Sequence, residues 1–186
     1  LQINIINPDP GEIVSSVEVN GQLKISKKQG KWNTFSLSQV LENGVYAAEI
    51  EFFNSHNGNI GVGIVKDTYT IPAGIYAWQE NHRDHMAAYL GVAQGSGQIY
   101  YKGKGTAGNK GIVDNQIVKM EYDSEKGTII FFVAGIQQPV YISGIKEKIR
   151  FIITMIYDDS YCIIRSLKKL SAPTSGHVAN EQTVQW

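Results

Sequence analysis

Four short stretches carry residue types that could do chemistry. Glu49 and Glu51 stand two apart in VYAAEIEFF, so on a strand both carboxylates aim to one face. Two carboxylates flanking a sugar can act as nucleophile and general acid. The next alternate position, however, is Phe53 and not a third acid, and outward strand glutamates need no catalytic role. His82-Arg83-Asp84-His85 offers two imidazoles and a carboxylate. A zinc site asks for three or four supported ligands, and His56, Asp67 and His177 are the only loose extras. The stretch reads as a solvated polar loop, with no metal expected. Gly103-Lys104-Gly105-Thr106-Ala107-Gly108 fits G-x-G-x-x-G, but that motif holds pyrophosphate only where a helix follows and lends its N-terminus. Another loop and strand follow here, so no nucleotide cofactor is expected. Cys162, inside Tyr161-Cys162-Ile163-Ile164, reads as a small core residue, and no serine sits in a nucleophile elbow. These stretches point away from an enzyme.

Aromatic residues are the stronger lead. Tyr100 and Tyr101 are adjacent, so on a strand one faces the core and the other the surface. Tyr157 precedes Asp158-Asp159 at a strand end. A tyrosine presents a flat apolar face and a phenol, which suits a partly desolvated contact. Residues 66–83 form the longest stretch without a clear period and contain Tyr69, Tyr76, Trp78, His82 and Arg83. Long irregular segments in compact domains are often functional, which makes this one a candidate binding loop.

The elements that must position these residues read as strands. Residues 116–133, QIVKMEYDSEKGTIIFFV, form two β-rich arms around a turn closed by Gly127. Asn20-Gly21 between alternating runs is a strong hairpin signal. Residues 32–38 alternate on Trp32, Phe35 and Leu37, and 38–43 could make one helical turn ended by Gly44. In 45–53, Tyr46, Ala48, Ile50 and Phe52 share the apolar face. Gly61 and Gly63 in the strand 60–65 predict close approach by a neighbour. Further strands are expected at 86–92, 98–101, 138–142, 149–156 and 161–165, with 103–111 an irregular loop. From Ser171 the chain is polar and reads as a tail or linker, with Trp186 able to dock.

The totals set the outer limits. A chain of 186 residues, 42% hydrophobic and 18% charged, fits one domain with its own core. A formal net charge of zero argues against nucleic acid and against a membrane surface as partners. One cysteine permits no internal disulfide, which fits a reducing, intracellular and cytoplasmic setting. No signal peptide or membrane-length apolar run is visible. The start at Leu1 reads as a piece of a longer protein.

From about Trp32 to Leu170 the chain resembles a SPRY domain. The residues that carry the likeness are Gly44-Val45-Tyr46-Ala47-Ala48-Glu49-Ile50-Glu51, then Gly61-Val62-Gly63-Ile64, Tyr89-Leu90-Gly91, Ile99-Tyr100-Tyr101-Lys102-Gly103-Lys104 and the hairpin Val118 to Val133. Departures are Ala134-Gly135 in place of Asn-Gly, Asp114-Asn115 in place of Gly-Asp, and no proline beside Arg150. The resemblance implies an all-β fold, a bent antiparallel sandwich of two sheets with little helix, over residues 1–170 with a tail at 171–186. It implies a non-catalytic module that binds a peptide or protein loop at one edge, within a ubiquitin-ligase adaptor or other scaffold. By the same resemblance Tyr100 and Tyr157 form the floor of that site, and Trp78, Arg83, Lys102 and Asp158 are expected on surrounding loops, where Lys102 or Arg83 could orient an acidic or amide-rich peptide segment. Two alternatives stay open. One is a lectin-like sandwich that binds carbohydrate, for instance through the 54–59 loop. The other is a glycoside hydrolase using Glu49 and Glu51.

Overall fold

The structure is a computed structural model that describes residues 1–186. Its strands, in chain order, are β1 (Ile5–Ile6), β2 (Ile13–Val17), β3 (Leu23–Lys27), β4 (Asn33–Leu37), β5 (Val45–Phe53), β6 (Ile60–Lys66), β7 (Met86–Leu90) and β8 (Ile99–Tyr101). They continue as β9 (Lys104–Thr106), β10 (Ile117–Asp123), β11 (Thr128–Val133), β12 (Ile136–Gln137), β13 (Val140–Ser143), β14 (Ile149–Met155), β15 (Tyr161–Leu170) and β16 (Gln182–Gln185). Helix is confined to a turn α1 (Val92–Gly95) and a 3₁₀ turn at Val19–Gly21.

The hairpin β10–β11 shows how local chemistry builds the fold. Asp123 Oδ1 accepts the backbone N–H groups of Glu125 and Lys126 at 3.0 and 3.3 Å. Gly127 takes a φ of 64°, which glycine adopts without steric cost. The register runs from Val118 opposite Val133 to Asp123 opposite Thr128. Val118, Met120 and Tyr122 therefore join Ile129, Phe131 and Val133 on the inner face.

Two sheets pack face to face. One runs β1-β4-β14-β6-β7-β8-β9; the other runs β16-β13-β11-β10-β5-β15-β3-β2, with β12 beside β11. Between them lies a core of 35 buried residues, including Phe35, Phe52, Tyr89, Phe131 and Phe151. At roughly 25 cal/mol per Å² of apolar surface removed from water, this layer supplies the main drive to fold. Tyr89 sits fully buried in it and its hydroxyl donates to the Lys110 carbonyl. Cys162 is sealed in the same layer, and burial pushes its thiol well above the ordinary range. All pairings between the strands are antiparallel except β13 with β16, and the isolated bridge Gly91–Ile112 is parallel as well.

Several local expectations change. Strand β4 does not alternate: all five residues are buried, because its far face is covered too. Residues 38–43 are extended, not helical, and Leu41 bridges to Ile149. The 86–101 region contains α1 where a plain turn was expected. The 103–111 loop begins with β9, joined to β8 by Lys102-Gly103, both at positive φ (51° and 79°). That is the backbone of a two-residue hairpin turn.

The C-terminal residues were expected to trail as a tail, yet they strap the molecule. The backbone N–H groups of Thr174 and Ser175 donate to the Glu121 carboxylate at 3.0 to 3.1 Å, and the Thr174 hydroxyl donates to it as well. Strand β16 then lies parallel to β13. Trp186 stacks on Tyr101, with ring centroids 4.9 Å apart, and its Nε1 donates to Glu147 at 2.9 Å.

Candidate functional site

The site is built on the outer face of the seven-stranded sheet. Alternation along β7 sends Ala87 and Tyr89 into the main core and Met86, Ala88 and Leu90 outward. Outward residues of a half-exposed sheet should be polar; these are apolar because residues 66–85 fold over them. Ile71, Ile75 and Ala77 of that segment close a second cluster with Val65, Met86, Ala88, Leu90 and Ile152. Polar ties add to the packing. The Thr34 hydroxyl donates to the Ile75 carbonyl at 3.0 Å, and buried Asn33 accepts the Gly74 N–H at 2.8 Å. Gly61 of β6 has its role here: a Cβ there would lie 3.1 Å from the Trp78 ring. The candidate binding loop is thus a roof with its own small core.

At one end of this roof is a cavity of about 510 Å³. Tyr76, Trp78, Glu80 and Arg83 come from the roof, Trp32 from the chain entering β4, and Tyr100 from β8. Ile156 and Tyr157 come from the end of β14, Asn59 from the loop before β6, and Gln94 from α1. Tyr100 and Tyr157, 57 positions apart in the sequence, are each half-buried and share this cavity.

Four of the six sequence-derived site residues line it: Trp78, Arg83, Tyr100 and Tyr157. Lys102 stands outside, exposed at the β8–β9 turn with its Nζ 5.2 Å from the Tyr101 ring centre. Asp158 is exposed on the turn beside Tyr157 and is not among the lining residues. The tyrosine pair divides as the strand geometry requires: Tyr100 faces the roof and Tyr101 the main core.

Two features of the wall lie beyond what sequence reasoning named. Trp32, Tyr76 and Trp78 form a mutual cluster, with centroids 5.2 to 5.5 Å apart in tilted and edge-on contacts. Only the apolar weight of Trp32 hinted at it, since a residue 44 positions before Tyr76 shows no local link. Asn59 and Gln94 are the second feature: Gln94 Nε2 donates to Asn59 Oδ1 at 2.6 Å, so two amides are held at the rim.

The electrostatics single out Arg83. Of the three arginines, Arg150 pairs with Asp67 at 3.4 Å and Arg165 with Glu51 at 2.5 Å. Arg83 has no ion-pair partner; its guanidinium packs over Gly103, where a Cβ would lie 2.8 Å from Cζ. It is a pre-placed fork of donors able to meet a carboxylate or carbonyl groups.

The other chemical stretches are engaged structurally. Glu51 holds Arg165, and Glu49 accepts from the Ser166 hydroxyl at 3.0 Å. His82 and His85 flank Tyr69. His82 Nδ1 lies 2.6 Å from the phenol oxygen and His85 stacks on its ring at 4.1 Å. Burial raises the Tyr69 phenol above its usual range. Gly105 lies within β9, and no helix follows the glycine motif.

No protein-family model matches this sequence, and no curated protein sequence matches it. Solved structures do. The SPRY domain of human HERC1 is 16% identical with a TM-score of 0.60, over 90% of this chain and 99% of its own. The TRIM65 PSpry domain is 9% identical with a TM-score of 0.63, over 89% and 90%. A carbohydrate binding module, CBM66 from Bacillus subtilis, is also similar: 9% identical, TM-score 0.50, over 91% and 96%. With two packed sheets, a roofed outer face and this connectivity, the chain has the SPRY fold.

Proposed function

We propose that this protein is a non-catalytic interaction module that holds a peptide, or a loop of a partner protein, in the cavity under the roof. One observation carries the reading. Tyr100 and Tyr157 converge on a single concavity with the Trp32/Tyr76/Trp78 cluster and with Arg83, which no carboxylate engages. Half-buried aromatics and arginine are the side chains that dominate binding energy at protein interfaces. The aromatic wall takes an apolar side chain, Arg83 orients a carboxylate or backbone carbonyls, and Asn59 with Gln94 pairs with peptide amides. The SPRY fold supports this reading, as does the zero net charge, which provides no field for nucleic acid. The buried lone cysteine supports work in a reducing compartment inside the cell, as the recognition part of a larger adaptor or scaffold.

The test is selection from a random peptide library displayed on phage. The wild-type domain should enrich a consensus that combines an apolar anchor with an acidic or amide residue. Tyr100→Ala and Arg83→Ala should each weaken the best peptide about tenfold or more, with circular dichroism unchanged. Failure to enrich, or equal binding by both variants, sinks the assignment. The carbohydrate reading has one specific support, the likeness to the carbohydrate binding module. Saturable binding on a glycan array, lost in Trp78→Ala, would put it first.

A further inference from the structure

Tyr157 follows β14 at the start of a short turn, and its half-buried ring forms part of the cavity wall. Its backbone is tied: the Ser160 N–H and hydroxyl both donate to the Tyr157 carbonyl, at 3.1 and 2.6 Å. Its ring is held from outside the cavity by His56, stacked with centroids 4.0 Å apart and planes 27° from parallel. His56 is itself fixed. Its Nε2 lies 2.7 Å from Asp159 Oδ1, and Asn59 Nδ2 donates to its carbonyl at 2.6 Å. Its φ of 54° is unusual for a side-chain-bearing residue. Asn54 adds a bond to the Asp159 carbonyl at 3.2 Å. Two loops, 54–59 and 156–160, are therefore buttoned together behind one ring.

We propose that His56 is a positioning residue for ligand binding: it sets the Tyr157 ring at the cavity wall through its clasp on Asp159. The inference rests on the peptide-binding reading above. The stacked imidazole and the hydrogen bond to Asp159 fix the ring from two sides. The charged and titratable groups on the elements packed around it are Asp158, Asp159 and Tyr157 of the β14–β15 turn. Asp114, ahead of β10, adds a fourth and accepts the neighbouring Ser55 N–H at 3.0 and 3.2 Å.

Two measurements test this separately. The first needs no ligand. In proton NMR of the free domain, the Tyr157 ring resonances should be shifted by the stacked imidazole. His56→Asn removes the ring but keeps a residue that tolerates positive φ, and should return the Tyr157 resonances to ordinary values. The second uses the tightest peptide from the library selection. His56→Asn should weaken it about two- to tenfold, the range for one aromatic pair. Asp159→Ala, which removes the clasp on His56, should weaken it within the same range. Unshifted Tyr157 resonances in the wild type, or unchanged affinity in His56→Asn, would overturn the proposal. If selection yields no peptide at all, the binding reading falls, and the ring shifts alone decide whether His56 holds Tyr157.

Discussion

On the seven-stranded sheet the outer face is roofed by residues 66–85 and carries a second hydrophobic cluster. On the nine-stranded sheet the outer face meets solvent. There Phe53 stacks on Tyr161 at 4.7 Å with Lys24 over the Tyr161 ring, Glu51 holds Arg165, and the Thr174-Ser175 strap crosses Glu121. The two faces use the same period-two backbone but different means of anchoring what lies above it. Apolar packing holds the roof as a body, so the side chains at its end form a fixed wall. Polar bonds hold the strap at points, which fastens the C-terminus without building a concavity of comparable size. The candidate site lies where a loop has been given a core.

The widest separation between the faces should come from Ile75→Ala. Removing this buried anchor should cost about 2–4 kcal/mol in urea unfolding, as transfer and cavity terms add. It should also broaden the environment of Trp78, read as a red-shifted tryptophan emission, and weaken any ligand of the cavity. Loss of stability with the emission unmoved would mean that the roof does not act as one body.

The strap gives a smaller, pH-dependent effect. Burial alone would raise the Glu121 carboxyl, but hydrogen bonds from Thr174 and Ser175 outweigh it and hold the group below the usual carboxylate range. A carboxyl lowered in the folded state contributes stability above its unfolded value, roughly pH 4.3. That contribution disappears as pH falls through the lowered folded value. Glu121→Gln should therefore cost about 1–3 kcal/mol at neutral pH and make the acid limb of the stability profile shallower, while leaving ligand affinity at the roof unchanged. A parallel loss of affinity would show that the two faces are coupled.

Smallest of all should be the Glu51–Arg165 pair, whose side chains are 17% and 29% exposed. A double-mutant cycle with Glu51→Gln and Arg165→Met should return a coupling of about 0.5–1 kcal/mol that shrinks in high salt. A coupling of several kcal/mol would place this face closer to a buried environment than its exposure indicates.

Much of the molecule was legible wherever one face of a strand is wet. The hairpin β10–β11 follows from its alternation and from Asp123 and Gly127; β5 follows from Tyr46, Ala48, Ile50 and Phe52. In β4 and β7 the strand itself was legible, but its facing was not, because burial on both sides removes the polar alternation that would mark a wet face. Legibility failed at turns. Asn20-Gly21 was readable, but Lys102-Gly103 and Ala134-Gly135 take the same pair of positive φ values without the asparagine that signals them.

At the site, chemistry and place separated. Sequence reading named Tyr100 and Tyr157 through the SPRY resemblance and Trp78 and Arg83 from the aperiodic 66–83 stretch, and the structure gathers these four in one cavity. Trp32 was marked only as a strand anchor and Asn59 only within the 54–59 loop of the carbohydrate alternative, Gln94 was unmarked, and Lys102 and Asp158 stand outside the cavity walls. Residue type and spacing by themselves determined that the chain is an all-β protein of many short strands with one unpaired cysteine in an apolar strand and no net charge, because those properties follow from local periodicity and summed charge. Which outward residues become a second core, which arginine stays free and which histidine backs which tyrosine depend on contacts between segments tens of residues apart. Only tertiary packing decided them, since side-chain contact is set by distance in space and not by order along the chain.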